Sequence, residues 1–205
     1  EWSVYDHAAK LTSQSGSKIT SIVFDRDGSA WFGTKNGVVR FDGLSWKRFG
    51  ASEGFTNGEI LAAVIDCTGN LWFGSSEGLF RFNGAEWTRY DVSADGVRKD
   101  KVTALACESD GTLWIGTERG LATFDGTTWK YTASLGEKPN ERRVTTLAIG
   151  KDGAVWAGTL DGIAVIREGG EAVRRIDKTY LTHDWIMKTL VDSDGVLWVA
   201  AGASR

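Results

Sequence analysis

The chain has 205 residues, of which 41% are hydrophobic and 25% are charged, and its formal net charge is −3. This composition is typical of a folded protein rather than a disordered one. No apolar run approaches the ~20 residues of a membrane-spanning helix, and no cluster of Lys and Arg favours nucleic acid. We therefore predict no membrane span in this segment and no nucleic-acid partner. The counts of 26 Gly and 10 Trp beside a single Pro indicate an all-β protein.

The start of the chain and its cysteines leave the cellular compartment open. The first residues contain no Lys- or Arg-led apolar stretch of the kind that marks a signal peptide. The chain opens on Glu1-Trp2 without a Met, which is compatible with a leader that has been removed. Cys67 and Cys107 are interpreted as free thiols, with a disulfide between them as the alternative.

Nine of the ten tryptophans recur in two registers. The first register has a spacing of 41 or 42 residues, and each member follows a turn glycine by three positions: Trp31, Trp72, Trp114, Trp156 and Trp198. The second register follows the first by fifteen residues, at Trp46, Trp87 and Trp129, and Trp2 fits it at the front. Self-similarity at a fixed period of this length indicates a repeat architecture.

Each period contains four short β-like runs. The first period has ITSIVF (19–24), AWFGT (30–34), VVRF (38–41) and SWKRF (45–49), separated by Asp-Gly and Asn-Gly pairs. Such pairs favour hairpin turns because both residues tolerate positive φ. No segment shows a helical period. Four antiparallel strands in every period predict one blade of a β-propeller.

In chain order the sequence predicts a single propeller domain over 1–205. Its units are the last strand of a blade at 1–5, complete blades at 19–49, 60–90, 102–132 and 144–176, and a partial blade at 186–201. A closed five-bladed ring and an arc of a larger propeller both fit this order. An arc would expose an apolar blade face and self-associate through it.

The residues that recur from one period to the next have a packing role in this prediction. Large flat Trp side chains fill the space between adjacent blades. A glycine follows each of the first four register tryptophans by two positions, at Gly33, Gly74, Gly116 and Gly158, where it would let the next blade approach closely.

The period resembles the two-component regulator propeller repeat. It reads ITSIVFDRDGSAWFGTKNGVVRFDGLSWKRF in the first unit and VTALACESDGTLWIGTERGLATFDGTTWKY in the third. The resemblance weakens towards the end, where Val173 stands in place of Trp and Ala200-Ala201 in place of Gly-Thr. It implies a periplasmic or extracellular sensor region of a bacterial signalling receptor, of a kind that often responds to carbohydrates.

The residues before each predicted innermost strand form a candidate ligand site. They are Lys18, Glu59, Lys101, Arg143 and Trp185. Equivalent positions of a propeller encircle its axis, so we expect this row at the mouth of the central channel, among the loops between blades. Three cations, one carboxylate and one Trp suit a polar or anionic ligand such as an acidic sugar. Ordinary solvated strand starts are the alternative.

Two loops add candidates to this site. Trp185 lies outside both Trp registers, and with Tyr180 and His183 it forms a possible stacking platform for a sugar face, or alternatively an apolar plug for its loop. The adjacent Arg142 and Arg143 could clamp a carboxylate or sulfate, or form salt bridges within their loop.

The sequence predicts no metal, cofactor or catalytic centre. Asp25 and Asp27 offer two carboxylates where Ca²⁺ takes about six or more oxygens, and a hairpin turn explains them better. No nucleophile elbow, phosphate loop or His-Glu-x-x-His motif is present. We therefore predict a non-catalytic ligand-sensing propeller. An interaction or oligomerisation scaffold is the alternative, followed by a polysaccharide-active lyase or hydrolase.

Overall fold

Each sequence period folds into one antiparallel sheet, or blade. The computed structural model describes residues 18–55, 58–91, 100–132, 135–136, 138–167, 172–177 and 179–202. Blade 1 has β1 (Ile19–Phe24), β2 (Ala30–Thr34), β3 (Gly37–Phe41) and β4 (Trp46–Phe49). Blade 2 has β5 (Ile60–Ile65), β6 (Leu71–Ser75), β7 (Gly78–Phe82) and β8 (Trp87–Tyr90).

The later blades follow the same order. Blade 3 has β9 (Val102–Cys107), β10 (Leu113–Thr117), β11 (Gly120–Phe124) and β12 (Trp129–Thr132). Blade 4 has β13 (Val144–Ile149), β14 (Val155–Thr159), β15 (Gly162–Ile166) and β16 (Ala172–Ile176). Blade 5 has β17 (Trp185–Val191) and β18 (Leu197–Gly202), and in every blade the strands pair in sequence order.

The predicted all-β propeller architecture is confirmed, with two short helical additions. A 3₁₀ turn covers Ala51–Glu53 and a single α-turn, α1, covers Pro139–Arg142. Neither is long enough to show a helical period in sequence. The predicted strand at 1–5 lies outside the described residues. Cys67 and Cys107 are both free thiols.

The first turn of four of the five blades is fixed by an acidic residue that also anchors the register tryptophan. Asp25 accepts hydrogen bonds from Ser29 N at 2.8 Å and from Trp31 Nε1 at 2.8 Å. The same indole bond is made to Asp66, Glu108 and Asp192 in blades 2, 3 and 5, at 2.8, 2.5 and 2.7 Å. Gly150 occupies this position in blade 4. The carboxylates that superficially resemble calcium ligands therefore belong to the turns.

Three register tryptophans, those of β2, β6 and β10, fill the space between blades as predicted, whereas Trp129 and Trp198 are 38% and 61% exposed. Trp31 is 1% exposed, and its ring centroid lies 5.2 Å from that of Phe82 and 6.1 Å from that of Phe73, both in the next blade. Trp72 and Trp114 are buried in the same way against blades 3 and 4. We call the side that a blade turns to the following blade its trailing face, and the side it turns to the preceding blade its leading face.

The glycines that follow the tryptophans permit close approach of the next blade. A Cβ added at Gly74 would lie 2.5 Å from Val102 Cγ1, and one added at Gly116 would lie 2.5 Å from Val144 Cγ1. Ordinary contact between carbon atoms is about 3.5–4.0 Å. Only glycine fits at this distance, so the blade spacing depends on it.

A threonine in β1, β9 and β13 forms a hydrogen bond to the next blade that the sequence analysis missed. Thr103 Oγ1 donates to Val144 O at 2.6 Å, and Thr145 Oγ1 donates to Ile186 O at 2.5 Å. Thr20 makes the same contact with Ile60 O. Leu61 and Met187 stand at this position in blades 2 and 5. The recurrence of Thr at this position in three periods was the sequence signal for this hydrogen bond between blades.

The blades form an arc whose two end faces are exposed. On the leading face of blade 1, Ile22 and Phe24 are 54% and 61% exposed. On the trailing face of blade 5, Leu190 and Trp198 are 62% and 61% exposed. Residues equivalent to these are packed between blades elsewhere in the chain. The described strands therefore fit the arc and not a closed five-bladed ring.

Candidate functional site

The innermost strands of the five blades begin at one end of the arc. Consecutive first strands lie side by side, β1 with β5, β5 with β9, β9 with β13 and β13 with β17. The threonine hydrogen bonds join the second residue of one strand to the first residue of the next, or to the second residue in β17, which places three pairs of strand starts at nearly the same level. Together these strands line a central cavity of about 240 Å³ that includes Lys188.

The five predicted mouth residues occupy this end. Lys18 is exposed in front of β1, Glu59 is half-buried in front of β5, and Lys101 is half-buried in front of β9. Arg143 is exposed in front of β13. Trp185 is the first residue of β17 rather than the residue before it, and it is 37% exposed.

Two of these residues, from adjacent blades, share one carboxylate. Lys101 Nζ lies 3.7 Å from Glu118 Oε1, and Arg143 Nη2 lies 3.2 Å from the same oxygen. Glu118 belongs to the turn between β10 and β11, so this second turn reaches the same end of the arc as Lys101 and Arg143. One negative charge against two cations gives this part of the mouth a local positive charge.

A second ion pair supports the same turn. Arg119 Nε lies 3.4 Å from Asp100 Oδ1, and the Asp100 side chain is only 4% exposed. Neither ion pair of this turn was predicted from the sequence. The sequence signal for these ion pairs was the opposite charge of Lys101 and Glu118, and of Asp100 and Arg119, at the two ends of the same pair of strands.

The two adjacent arginines have separate partners. Arg142 Nε donates to Gly136 O at 2.9 Å, within its own loop, whereas Arg143 pairs with Glu118. The helical turn α1 ends at Arg142, and Glu141 stabilises its start by accepting from Lys138 N at 3.2 Å. Arg142 therefore follows the alternative prediction, a contact within its own loop, whereas Arg143 contacts the second turn of blade 3.

The loop before β17 contains two further predicted residues, Tyr180 and His183, and their grouping with Trp185 stays a prediction. Tyr180 is 71% exposed and His183 is also exposed. Tyr180 N donates to Asp177 O at 2.9 Å in a turn, and Gly162 N donates to Asp184 O at 2.7 Å. The latter bond ties this loop to the second turn of blade 4, at the same end as Glu118.

A second cavity, of about 390 Å³, lies between blades 1 and 2 away from the mouth. Arg40 and Lys47 line it, and each lies over an aromatic ring, at 5.6 Å from the Trp31 centroid and 5.0 Å from the Phe49 centroid.

Among the described residues, no group of three His, Cys, Asp or Glu could hold a metal ion. Within that same part of the chain, no helix is long and apolar enough to cross a membrane.

Comparison with known families agrees with the blade structure. Residues 13–36 and 96–119 match the model of a family described as two component regulator propeller. The two segments end at equivalent second turns of blades 1 and 3. These two segments of the chain are therefore similar to two component regulator propeller repeats. No curated protein matches it in sequence.

Solved structures share the propeller fold. The extracellular domain of BT4673, a B. thetaiotaomicron protein named as a one component system, is 20% identical with a TM-score of 0.79 over 90% of this chain. The extracellular domain of BT3049, named as a hybrid two component system of the same organism, is 22% identical with a TM-score of 0.78 over 92%. The propeller spans 26% of each of those chains.

A propeller enzyme shares the fold at lower identity. An inactive H270A variant of virginiamycin B lyase from Staphylococcus aureus, bound to quinupristin, is 13% identical with a TM-score of 0.76, over 91% of this chain and 64% of the lyase. A likeness at this level establishes a common architecture. The chemistry of this propeller must be argued from its own residues.

Proposed function

We propose that this propeller is the non-catalytic, ligand-sensing part of a bacterial signalling receptor and that it acts outside the cytoplasm. The observation that carries the proposal is the charged mouth, where Glu118 joins Lys101 and Arg143 from adjacent blades. The repeat family and the two extracellular domains with the same fold support the sensing role.

The proposed ligand is an anionic saccharide. A carboxylate or sulfate on the sugar would accept charge-assisted hydrogen bonds from Arg143 and Lys101, which already form ion pairs with a carboxylate oxygen. Trp185 and Tyr180 would present apolar ring surface to a sugar face. Lys18, Glu59 and His183 would complete the polar rim, and Arg142 would hold the loop that carries Arg143.

The proposed signal is a change in packing between blades 3 and 4. Lys101 precedes blade 3 and Arg143 precedes blade 4, so a ligand that replaces Glu118 as their common partner acts on both blades. A ligand shifts a conformational equilibrium by its difference in affinity between the two states. A carboxylate that competes with Glu118 provides such a difference.

Isothermal titration calorimetry with two trisaccharides tests this proposal. Tri-galacturonate should bind and uncharged maltotriose should bind more weakly or not at all. Arg143→Gln should weaken the binding of tri-galacturonate by roughly 10-fold or more, because a hydrogen bond to a charged group contributes about 1.5–3 kcal/mol. Arg48→Gln, an exposed change on β4 of blade 1, is the matched control. Equal binding of both sugars, binding of neither, or an unchanged Arg143→Gln affinity would contradict the proposal.

The alternative function is an assembly scaffold. Loss of saccharide binding in the calorimetry, together with self-association of the chain, would make assembly the main role.

A further inference from the structure

Two cysteines from adjacent blades lie at one interface, between blades 2 and 3. Cys107 is the last residue of β9 and packs, with Val64 of blade 2 and Leu105 of blade 3, against the buried cluster that contains Trp72. Cys67 lies in the turn between β5 and β6 of the preceding blade. The first strands begin at the mouth and end at these turns, so both cysteines lie at the end of the arc opposite the proposed saccharide site.

The turn position that Cys67 occupies directs its side chain to the following blade. Arg26, the equivalent residue of blade 1, donates through Nη2 to Cys67 O in blade 2. Lys151, the equivalent residue of blade 4, donates through Nζ to Ser193 O in blade 5. Cys67 follows the same course, because its Sγ lies 3.2 Å from the position that a Cβ would take at Gly111, in the first turn of blade 3.

The thiol of Cys107 borders the same turn of blade 3. Cys107 Sγ donates to Glu108 O at 3.5 Å, and Glu108 O also accepts from Gly111 N at 3.1 Å. The backbone N–H of Cys67 in turn donates a hydrogen bond towards the Cys107 sulfur. The Cα of Cys67 is only one bond, of about 1.46 Å, from that nitrogen. One thiol from each blade therefore reaches the same small region of the interface.

We propose that Cys67 and Cys107 form a disulfide when the protein is oxidised, and that this bridge joins blade 2 to blade 3 at their first turns. Both thiols are free in the structure. Rotation of the two side chains brings the sulfurs together, since the backbone of Cys67 already contacts the Cys107 sulfur. The bridge takes the place of the contacts that Arg26 and Lys151 make between other blades. It goes beyond the proposed saccharide site and does not depend on it.

The oxidant in this proposal is a low-molecular-weight disulfide such as oxidised glutathione. The thiolate of the exposed Cys67 attacks it, which releases one small thiol and leaves a mixed disulfide on Cys67. Cys107 then attacks the Cys67 sulfur and releases the second small thiol. The protons of the two protein thiols pass to the two released thiols, so two protein thiols are oxidised to one disulfide while the small disulfide is reduced.

The order of these steps follows from the surroundings of the two thiols. Burial raises the pKa of the Cys107 thiol and outweighs the opposite effect of the hydrogen bond from Cys67. A thiol with a raised pKa has less thiolate at neutral pH, and the thiolate is the nucleophile. Cys67 is therefore the thiol that meets the oxidant, and Cys107 is the thiol that resolves the mixed disulfide.

Timed oxidation of the full chain by oxidised glutathione, stopped with iodoacetamide and followed by mass spectrometry, tests the bridge. The folded chain should become lighter by the mass of two hydrogens and take up no iodoacetamide. Its tryptic peptides 49–81 and 102–119 should be cross-linked. Bridging in concentrated urea should be slower by at least about tenfold, because the unfolded chain does not hold the thiols together. The bridge closes residues 67–107 into a loop and should raise the urea midpoint of unfolding by roughly 1–2 M.

The control variants carry residues that blade 5 has at the same positions, so both should fold. Cys67→Ser copies Ser193, and Cys107→Val copies Val191. Cys107→Val should retain one glutathione on Cys67, because no second thiol can displace it. Cys67→Ser should take up glutathione at least about tenfold more slowly than Cys107→Val, since its remaining thiol is partly buried. Oxidation should leave the urea midpoint of both variants unchanged.

Several outcomes would overturn the proposal. They are a wild-type chain that stays reduced, carries glutathione on both cysteines, becomes linked to a second copy, or bridges no faster when folded than in urea. A bridged chain with the urea midpoint of the reduced chain would also overturn it, because the bridge would then not hold the two blades together. Both cysteine variants should bind tri-galacturonate like the wild type, so a failure of the saccharide proposal would be seen separately.

Discussion

Gly116→Ala is the most direct perturbation of the spacing between blades. The added Cβ would lie 2.5 Å from Val144 Cγ1, 2.9 Å from Val144 Cβ and 3.1 Å from Ala104 Cβ. Carbon atoms in ordinary contact are about 3.5–4.0 Å apart. Blade 4 must therefore move away from blade 3 by about 1 Å at this point.

The magnitude follows from three contributions. Overpacking of a well-packed site typically costs about 1–3 kcal/mol. The displacement also lengthens the bond from Thr103 Oγ1 to Val144 O, now 2.6 Å, and a weakened hydrogen bond adds up to about 1 kcal/mol. Alanine restricts the unfolded chain, which offsets about 0.4–1 kcal/mol. We expect Gly116→Ala to reduce the free energy of unfolding by about 2 kcal/mol.

Urea unfolding followed by far-UV circular dichroism measures this change, and a second substitution isolates its cause. Val144→Ala removes the Cγ atoms that the new methyl group would meet. In the Val144→Ala background, Gly116→Ala should therefore cost at least 1 kcal/mol less than in the wild type, a coupling expected for residues in contact. If the cost is the same in both backgrounds, or is close to zero in the wild type, close approach does not set the blade spacing.

Three further outcomes are expected. Thr103→Val should lower the free energy of unfolding by about 1 kcal/mol in urea, because it removes a bond between blades. Burial raises the pKa of Asp66, but hydrogen bonds, led by that from Trp72, outweigh it and hold the pKa below 3.8. The stabilisation from this lowered pKa should be fully present above the pKa that Asp66 has in the unfolded chain, and it should be lost as the pH falls through the pKa in the folded chain. Asp66→Asn should therefore reduce the decrease in the urea midpoint between pH 7 and pH 2.5. Gly150→Asp should raise the melting temperature by supplying the missing acceptor for the indole of Trp156, and this gain should vanish in a Trp156→Phe background.

The strand order could be predicted because the signals that specify it are local. An Asp-Gly or Asn-Gly pair closes a hairpin whatever lies beyond it. The period of 41 or 42 residues then aligns Trp31 with Trp72 and Trp114, and only stacking of equivalent sheets explains that alignment. The acid six residues before each of these tryptophans was visible in sequence as well, but its bond to the indole needs the turn geometry of residues such as Asp25 and Ser29.

The candidate site could be predicted only as a row of positions. Lys101 and Arg143 are equivalent in the repeat, so their common level at the start of β9 and β13 follows from the period. Glu118 pairs with both because the second turn of blade 3 reaches the same end, which is a contact between segments distant in sequence. The partner of Arg142 depends on α1, a single turn with no periodic signal.

In blade 5 the residues that stabilise the blade itself are retained, whereas those that join a blade to the next are not. Its Asp192 and Trp198 still form the hydrogen bond that fixes a turn within the blade. Its Met187 and Ala200 have lost the two features that join one blade to the next, the bonding hydroxyl and the close-approach glycine. A blade can therefore keep its own fold while its contact with a following blade weakens. The residues at these two positions, rather than the tryptophan, therefore determine how closely one blade can pack against the next.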